Sequence, residues 1–401
     1  MEGMFEIKPK KQTPLSIPSP VIKIVGLGGG GCNAVNRMIE YGLKGVTFVA
    51  CNTDKQAIET SLADIKVQLG PNSTRGLGAG GNPAAGEKAA EESFQKLVEV
   101  LDGADMVFLT AGMGGGTGTG AIPVAARVSK IIGALTIAVV TTPFSFEMGK
   151  RQKNAAIGLQ KLRQYTDTLI TVPNDRLLEI APRDLPLEMA FKLADDVLRQ
   201  GVSGISELIT ETGLINVDFA HIRRMMQLGG GALMSVGTGE GEDKAMKALK
   251  SALYHPLLDD IDLASATGII ANFSGGDDLT FVEVTEALDY LYNETGKTAE
   301  IIPGVVYDQN LMDRAQVILI VTGLGALHIE QVIPGADKYL SEIESQIESN
   351  HRIRPIATHT RETMYEDQQF AADSYAFSAA QSHLRTKDLD IPAFLRKRIK
   401  G

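Results

Sequence analysis

The feature that most constrains this chain is a run of small residues, TAGMGGGTGTGAIP, at positions 110–123. An apolar segment, ADMVFL, precedes the run, and a segment with helical spacing, VAARVSKII, follows it. A second glycine run, VGLGGGGCN, has the same setting at positions 25–33. Glycine-rich turns between a strand and a helix let backbone N–H groups approach a phosphate. The sequence therefore predicts two phosphate-binding loops in one fold.

Apolar, strand-like segments alternate with helical segments from Val21 onward. This alternation predicts an α/β fold with a doubly wound, mostly parallel sheet. Its predicted strands are VIKIVGL, VTFVACNTD, DMVFLTAG, LTIAVVTTPF and DTLITVPND, and EKAAEESFQKLVEVLDG is predicted to be a single helix. Ligands of such sheets bind at the carboxyl ends of the strands, where this chain carries its glycines and its NTD, TPF and PND turns.

A long helical segment, PLEMAFKLADDVLRQGVSGISELITE, leads from this part to a second, smaller α/β domain. The second domain has predicted strands ATGIIANFSG, AEIIPGVVYD and AQVILIVTGL, and helices DKAMKALKSALY and TFVEVTEALDYLYNE. After Leu324 the chain is polar and loses its periodicity, which is typical of disorder. The predicted organisation is a flexible arm at 1–20, a nucleotide-binding domain with the central helix at 21–222, the second domain at 223–323, a disordered linker at 324–386 and a tail peptide at 387–401.

Composition excludes several classes of protein. The 401 residues carry a net charge of -10, which argues against general nucleic-acid binding. Two cysteines, Cys32 and Cys51, are too few for a secreted disulfide framework. The first twenty residues lack the apolar core of a signal peptide, and no apolar run is long enough for membrane insertion. We therefore expect a cytoplasmic protein with no nucleic-acid partner and no direct membrane insertion.

The first glycine run by itself has more than one interpretation. Gly26, Gly28 and Gly31 fit the dinucleotide-binding pattern G-x-G-x-x-G, and Asp54 follows at the end of the next predicted strand. An NAD(P)-dependent oxidoreductase fits this arrangement, and so does a tight turn without a ligand.

The second glycine run argues against an oxidoreductase, because a nicotinamide site needs only one pyrophosphate loop. Two loops at neighbouring helix N-termini would clamp a longer polyphosphate through backbone N–H groups. Thr117 and Thr119 are predicted to add hydroxyl donors or to reach a metal-bound water. A third small-residue segment, RGLGAGGNPAAG at 75–86, is predicted to close over the terminal phosphate.

Five motifs in the same order, GLGGGGCNAVNRM, RGLGAGGNP, GGGTGTG, PFSFE and NVDFA, resemble the tubulin/FtsZ family of GTPases. The resemblance extends from about Val21 to Leu324 and resumes at LDIPAFLRK. It implies a GTPase that polymerises head to tail into protofilaments, which form the bacterial division ring at mid-cell. It also implies GTP or GDP as the ligand, with Mg²⁺ accompanying the nucleotide.

The resemblance assigns a set of nucleotide-binding residues. Those implied to hold the phosphates are Gly29, Gly30, Gly31, Cys32, Asn33, Ala79, Gly80, Gly115, Gly116, Thr117, Gly118 and Thr119. Glu147 and Arg151 match residues near the ribose and phosphates, and Asn174, Phe191 and Asp195 match residues around the guanine. A carboxylate at Asp195 that accepts two N–H bonds from guanine would discriminate against adenine. Without the resemblance, Glu147 and Arg151 fit an i,i+4 surface ion pair, and Asp195 fits one more charge on a helix.

In this family the neighbouring subunit completes the catalytic site with a loop of pattern N-x-D-x-x-D, whose carboxylates position water near the γ-phosphate. Asn216 and Asp218 match the pattern, but His221 occupies the position of the second aspartate. Three interpretations follow. His221 nearly abolishes hydrolysis, it serves as a substitute general base, or it is tolerated while Asp218 carries the chemistry.

Two further expectations concern Cys32 and the tail. Because a helix N-terminus lowers a thiol pKa, Cys32 is expected to be sensitive to oxidation or alkylation. The tail, DLDIPAFLRKRIK, is either a frayed basic end with weak lipid affinity or a docking peptide. The resemblance implies docking onto membrane-tethering and regulatory division proteins through Ile391, Pro392, Phe394, Leu395 and Arg396.

Overall fold

A computed structural model describes residues 20–147, 149–182, 184–210, 218–227, 231–258, 263–324 and 333. Within these ranges, one sheet contains the strands β1 (Ile22–Leu27), β2 (Val46–Asn52), β3 (Ile65–Gln68), β4 (Met106–Gly112), β5 (Leu135–Thr142), β6 (Thr168–Pro173), β7 (Gly231–Glu240), β8 (Gly268–Gly275), β9 (Glu300–Tyr307) and β10 (Arg314–Thr322). The helices are α1 (Gly28–Tyr41), α2 (Lys55–Glu59), α3 (Pro83–Glu92), α4 (Phe94–Leu101), α5 (Thr117–Ile131), α6 (Lys150–Arg163), α7 (Asn174–Ile180), α8 (Leu187–Thr210), α9 (Phe219–Met226), α10 (Lys244–Leu253) and α11 (Phe281–Glu294).

The strand order across the sheet is β3-β2-β1-β4-β5-β6-β7-β10-β8-β9. All neighbours pair in parallel except β10, which is antiparallel to both β7 and β8. The amino-terminal strands meet the carboxyl-terminal ones where β6 pairs with β7 through Leu169–Gly231 and Ile170–Ala232. The predicted fold, a mostly parallel doubly wound sheet with a second α/β part, is confirmed.

Helix α8 packs against both parts of the sheet. Its apolar residues Leu198, Val202, Ile205 and Leu208 recur at three- and four-residue spacing and are buried in one cluster with residues of β1, β4, β5, β8, β9 and β10. A Cβ at Gly204, in the middle of this helix, would lie 2.7 Å from Cδ1 of Ile318. The sheet therefore approaches α8 too closely for a larger residue there. None of the helices in the described ranges is long and apolar enough to cross a bilayer.

The structure differs from the sequence prediction in several elements, and it adds helices α2, α6, α7 and α9, which were not predicted. The single helix predicted over 87–103 is interrupted at Ser93, whose hydroxyl accepts a hydrogen bond from the backbone N–H of Gly70 at 2.9 Å. Strand β3 was not predicted because it has only four residues. Strand β7 was not predicted because its sequence, GALMSVGTGE, is rich in glycine and small polar residues. The other strands lie where their apolar patterns predicted them.

Candidate functional site

The first glycine run passes directly from β1 into α1. Gly28 has a φ of +70°, and a Cβ there would lie 2.7 Å from the backbone nitrogen of Gly118. A Cβ at Gly31 would lie 2.2 Å from the carbonyl oxygen of Thr110. No side chain caps the start of α1, and a Cβ at Gly29 would meet nothing within 4 Å. The first turn of α1 therefore presents open backbone beside the second loop, as an anion site at a helix N-terminus requires.

The second glycine run connects β4 to α5, which also starts without a side-chain cap. Within it, the hydroxyl of Thr119 is buried and accepts a hydrogen bond from the N–H of Gly114 at 2.8 Å. The hydroxyls of Thr117 and Thr53, at the end of β2, are 2.6 Å apart. The side chain of Thr119 therefore also shapes the loop, and contact of the Thr117 and Thr119 hydroxyls with a phosphate or a metal-bound water remains a prediction.

The third small-residue segment packs on the second. A Cβ at Gly116 would lie 2.9 Å from Cβ of Ala79 and from the backbone nitrogen of Asn82. The amide of Asn154 donates to the carbonyl oxygens of both Gly81 and Gly114, at 3.3 and 3.2 Å. A Cβ at Gly80 or Gly115 would meet nothing within 4 Å, so the backbone there is open. The structure thus places all three segments together at the carboxyl edge of the sheet.

Glu147 and Arg151 form an ion pair with each other. Glu147 is mostly buried and also accepts a hydrogen bond from the N–H of Phe144 at 2.9 Å, whereas Arg151 is exposed. The i,i+4 pair that the residues alone suggested is therefore present. Its contact with a ribose remains a prediction.

The residues predicted around the base come together near the ends of β5 and β6. The ring of Phe191, 39% exposed, packs edge-on against Phe144 with centroids 5.4 Å apart. Asn174 follows β6 and is buried, and its side-chain oxygen has no hydrogen-bond partner among the described residues. An acceptor buried without a partner loses free energy unless a ligand or water satisfies it. The oxygen of Asn174 can therefore accept a further hydrogen bond, and its contact with a base remains a prediction.

Asp195 lies one helical turn after Phe191 on α8 and is 3.6 Å from the guanidinium of Arg37 on α1. Burial raises the pKa of Asp195 from 3.8 to about 6, and Arg37 opposes the shift. Arg37 also donates to the carbonyl oxygen of Lys192 at 3.0 Å. The sequence analysis did not single out Arg37, Thr53 or Asn154. Each of them contacts a residue of the site that is distant in the chain.

Cys32 differs from its prediction. Its side chain is buried, with the sulfur 3.6 Å from the carbonyl oxygen of Gly26. Burial raises the pKa of the thiol to about 12, so the expected lowering by the helix terminus is wrong. The thiol points into the core, so at Cys32 only the backbone N–H group is left to face a ligand. The neighbouring Asn33 is exposed.

Helix α9 lies at the opposite end of the parallel strands, beside the amino ends of β5 and β6. Its last residue, Met226, accepts a hydrogen bond from the hydroxyl of Thr168, the first residue of β6, at 2.6 Å. Arg223 donates to the carbonyl oxygen of Gly133, just before β5, at 3.4 Å. The amino ends of β5 and β6 thus contact α9, whereas their carboxyl ends carry the predicted nucleotide residues. Seven residue steps of β5 separate the two edges by about 20 Å.

The predicted catalytic residues at this edge have defined partners. Asp218 caps α9, because its carboxylate accepts a hydrogen bond from the N–H of Ala220 at 3.1 Å. The Nε2 atom of His221 lies 3.3 Å from a carboxylate oxygen of Glu300, the first residue of β9. Asn216 and the tail residues Ile391, Pro392, Phe394, Leu395 and Arg396 lie outside the described residues, as do residues 325–332 and 334–386 of the predicted linker (324–386) and residues 1–19 of the predicted arm (1–20).

Three glycine segments converging at the carboxyl edge of a doubly wound sheet define a nucleotide-binding α/β protein. The GTPase-domain model of the Tubulin/FtsZ family matches residues 21–182, and the C-terminal-domain model of the FtsZ family matches residues 230–325. The chain is 46% identical to the empty FtsZ dimer of M. jannaschii, covering 77% of this chain and 90% of that chain with a TM-score of 0.75. A point mutant of M. jannaschii FtsZ gives 46% identity, coverage of 76% and 91%, and a TM-score of 0.73.

The GTPγS-bound CetZ2 protofilament from Haloferax volcanii is 18% identical, covers 82% of this chain and 99% of that chain, and has a TM-score of 0.66, which shows a shared fold. The chain belongs to the FtsZ family and is a cytoskeletal GTPase. The match to a GTPase domain leaves the NAD(P)-dependent oxidoreductase without support.

Proposed function

We propose that this chain binds GTP at the carboxyl edge of its sheet, polymerises head to tail, and hydrolyses the GTP with help from the next subunit. The observation that carries the proposal is the separation of the two parts of the site. The glycine segments lie at one edge, and α9 contacts the amino ends of β5 and β6 at the other. Asp218 and His221 therefore reach a nucleotide only when a second chain stacks on the first.

The residues at the carboxyl edge fit GTP. The open backbone at Gly29, Gly80 and Gly115 suits the phosphates, and the unpaired oxygen of Asn174 and the carboxyl of Asp195 suit the guanine edge. The described residues contain no group of three or more histidine, cysteine or acidic side chains that could hold a metal. Mg²⁺ would therefore depend mainly on phosphate oxygens and water, as it does in many nucleotide sites.

Self-association fits the relatives. The similar M. jannaschii structure is described as an FtsZ dimer, and the CetZ2 structure as a protofilament. We further propose a cytoplasmic filament in the bacterial division ring at mid-cell. Its tail, through the apolar residues between Ile391 and Leu395 and the adjacent Arg396, would bind tethering and regulatory proteins rather than nucleic acid or lipid.

The second candidate function is a filament that hydrolyses GTP poorly. It is favoured by the replacement of an expected aspartate by His221, since a neutral imidazole offers no negative charge. Both candidates share GTP binding and assembly. They differ in phosphate release by assembled chains, which we expect to rise in His221→Asp only if the histidine is the defect.

Complementation between two defective variants tests the shared site. Asp218→Ala should bind GTP and hydrolyse it slowly, and Asp195→Asn should bind GTP weakly while keeping an intact α9. Mixing the two at constant total concentration should release phosphate faster than either alone, because α9 of one chain acts on GTP held by the other. Sedimentation of the mixture reports filament formation. If filaments form but the mixture gives only the average of the two rates, the site lies within one chain and the proposal is wrong.

A further inference from the structure

A cluster of charged side chains surrounds His221 at the amino edge of the sheet. The Nε2 atom of His221 is 3.3 Å from Oε1 of Glu300, and Arg224, one turn later on α9, forms an ion pair with the same oxygen. Glu300 lies at the start of β9 and is outside the motif that singled out the histidine. The position that lacks an aspartate thus has a carboxylate from another strand beside it.

The contact with Glu300 favours one tautomer of the imidazole. A carboxylate beside Nε2 favours the proton on that nitrogen, which leaves the lone pair of the neutral ring on Nδ1. The side chain of His221 is 53% exposed, so the ring is accessible to a neighbouring molecule. A carboxylate that orients an imidazole in this way is a recurring device where histidine acts as a base.

The other charged groups near the ring are engaged with partners of their own, so Glu300 is the group that orients the ring. From β9 the ring meets Glu300, and α9 contributes Asp218, Arg223 and Arg224. The carboxylate of Asp218 is engaged with the N–H of Ala220, and Arg223 extends to the carbonyl oxygen of Gly133. Arg224 shares the carboxylate of Glu300, so that this carboxylate is tied to α9 at two points. Glu300 therefore holds the ring, and its own charge is partly neutralised.

We propose that Glu300 is a positioning residue for His221 in hydrolysis of the neighbouring subunit's GTP. Glu300 lies against Nε2 and so leaves Nδ1 to face the attacking water. The water oxygen bonds to the γ-phosphorus as the bond from that phosphorus to the β–γ bridging oxygen breaks, and GDP departs with the electron pair. A water proton moves to Nδ1 and is then released to solvent. This inference rests on the shared site proposed above.

The test is a double-mutant cycle in the full-length chain, with steady-state phosphate release measured in assembled protein. Glu300→Ala should lower kcat by about tenfold or more, as loss of an orienting partner does, and leave the KM for GTP unchanged. Glu300→Gln keeps the size and an acceptor oxygen, so it should retain more activity than alanine. In the His221→Asp background neither change should lower kcat, because there is no imidazole to orient.

Arg224→Gln is the comparison variant, because it removes the ion pair with Glu300 and leaves Glu300 beside His221. We expect it to lower kcat less than Glu300→Ala does, wherever sedimentation shows normal filaments. A purely structural tie between α9 and β9 would instead make Arg224→Gln and Glu300→Ala equally damaging, in both backgrounds. Equal losses, or no loss in either background, overturn the inference.

The failure of the shared site has a different signature. If the parent chain releases phosphate only at the background rate and His221→Asp restores release, the imidazole does not work as proposed, while the shared site stands. If filaments of both chains release none, or if release per chain is independent of concentration, the proposed function itself is wrong. Should Glu300→Ala fail to assemble, Glu300→Gln in the two backgrounds decides the question.

Discussion

We predict that the buried carboxyl of Asp195 destabilises the nucleotide-free protein and that the same carboxyl recognises guanine in the bound state. Its side chain is 17% exposed, and burial raises its pKa from 3.8 to about 6 in spite of Arg37 at 3.6 Å. The perturbation that isolates this effect is Asp195→Asn, which keeps the shape of the side chain and removes the charge. The matched control is Asp196→Asn, because the adjacent carboxylate is partly exposed and forms an ion pair with Arg199 at 2.7 Å.

The magnitude follows from the pKa shift. A shift of about two units, at roughly 1.4 kcal/mol per unit, corresponds to about 3 kcal/mol. Because the pKa is raised in the folded state, the folded protein binds the proton more tightly than the unfolded chain. The carboxyl therefore lowers the free energy of unfolding above about pH 6. This destabilisation decreases as the pH falls from about 6 and vanishes below about 4.

Urea unfolding of the nucleotide-free protein checks the prediction. Asp195→Asn should raise the free energy of unfolding by about 3 kcal/mol at pH 8 and by about half as much at pH 5. The same variant should lose most of the stabilisation that added GTP gives the parent chain, since the amide presents one acceptor where guanine offers two donors. The control should lose about 1 kcal/mol or less at both values of pH, because its ion pair is only partly buried. If Asp195→Asn is destabilised like the control, the buried charge is not the strained group that we infer.

Two further substitutions and labels test the glycine loops. Gly31→Ala should lower the free energy of unfolding by about 3 kcal/mol or more, because its Cβ would lie 2.2 Å from the carbonyl oxygen of Thr110. Gly29→Ala should unfold like the parent, because a Cβ there meets nothing within 4 Å. Equal thermal midpoints for the two variants would contradict the packing argument. Cys32 should resist iodoacetamide in the folded protein and react in urea, because burial raises its pKa to about 12, and rapid labelling of the folded state detected by mass spectrometry would contradict this.

The sequence predicted the elements that repeat a strong local pattern. Most strands are apolar runs, and the glycine segments lie at strand-to-helix turns, so both could be read from the chain itself. Strand β7 could not, because GALMSVGTGE acquires its strand form by pairing with β6 and β10. The interruption at Ser93 depends likewise on the N–H of Gly70, which belongs to another part of the chain.

In the site, too, local patterns were predicted and contacts between distant residues were not. Its phosphate segments were predicted, but the direction of each side chain was not: Cys32 and Thr119 turn inward, toward a core carbonyl and a loop N–H. The pairs Arg37–Asp195 and His221–Glu300 join residues far apart in sequence. Such contacts depend on the register of the sheet and the packing of helices on it, and periodicity carries no information about either.

The position of α9 at the edge opposite the glycine segments has a consequence for a stack of these chains. In a single file of n subunits, n-1 junctions are complete, and the two termini differ chemically. One terminal chain holds a nucleotide that no α9 touches, and the other offers an α9 with nothing to act upon. With the shared site proposed above, short files would consume less GTP per chain than long ones, and the outermost nucleotide would persist at one end only. The direction of such a file would therefore be marked by its two terminal chains, one with its nucleotide uncovered and the other with its α9 uncovered.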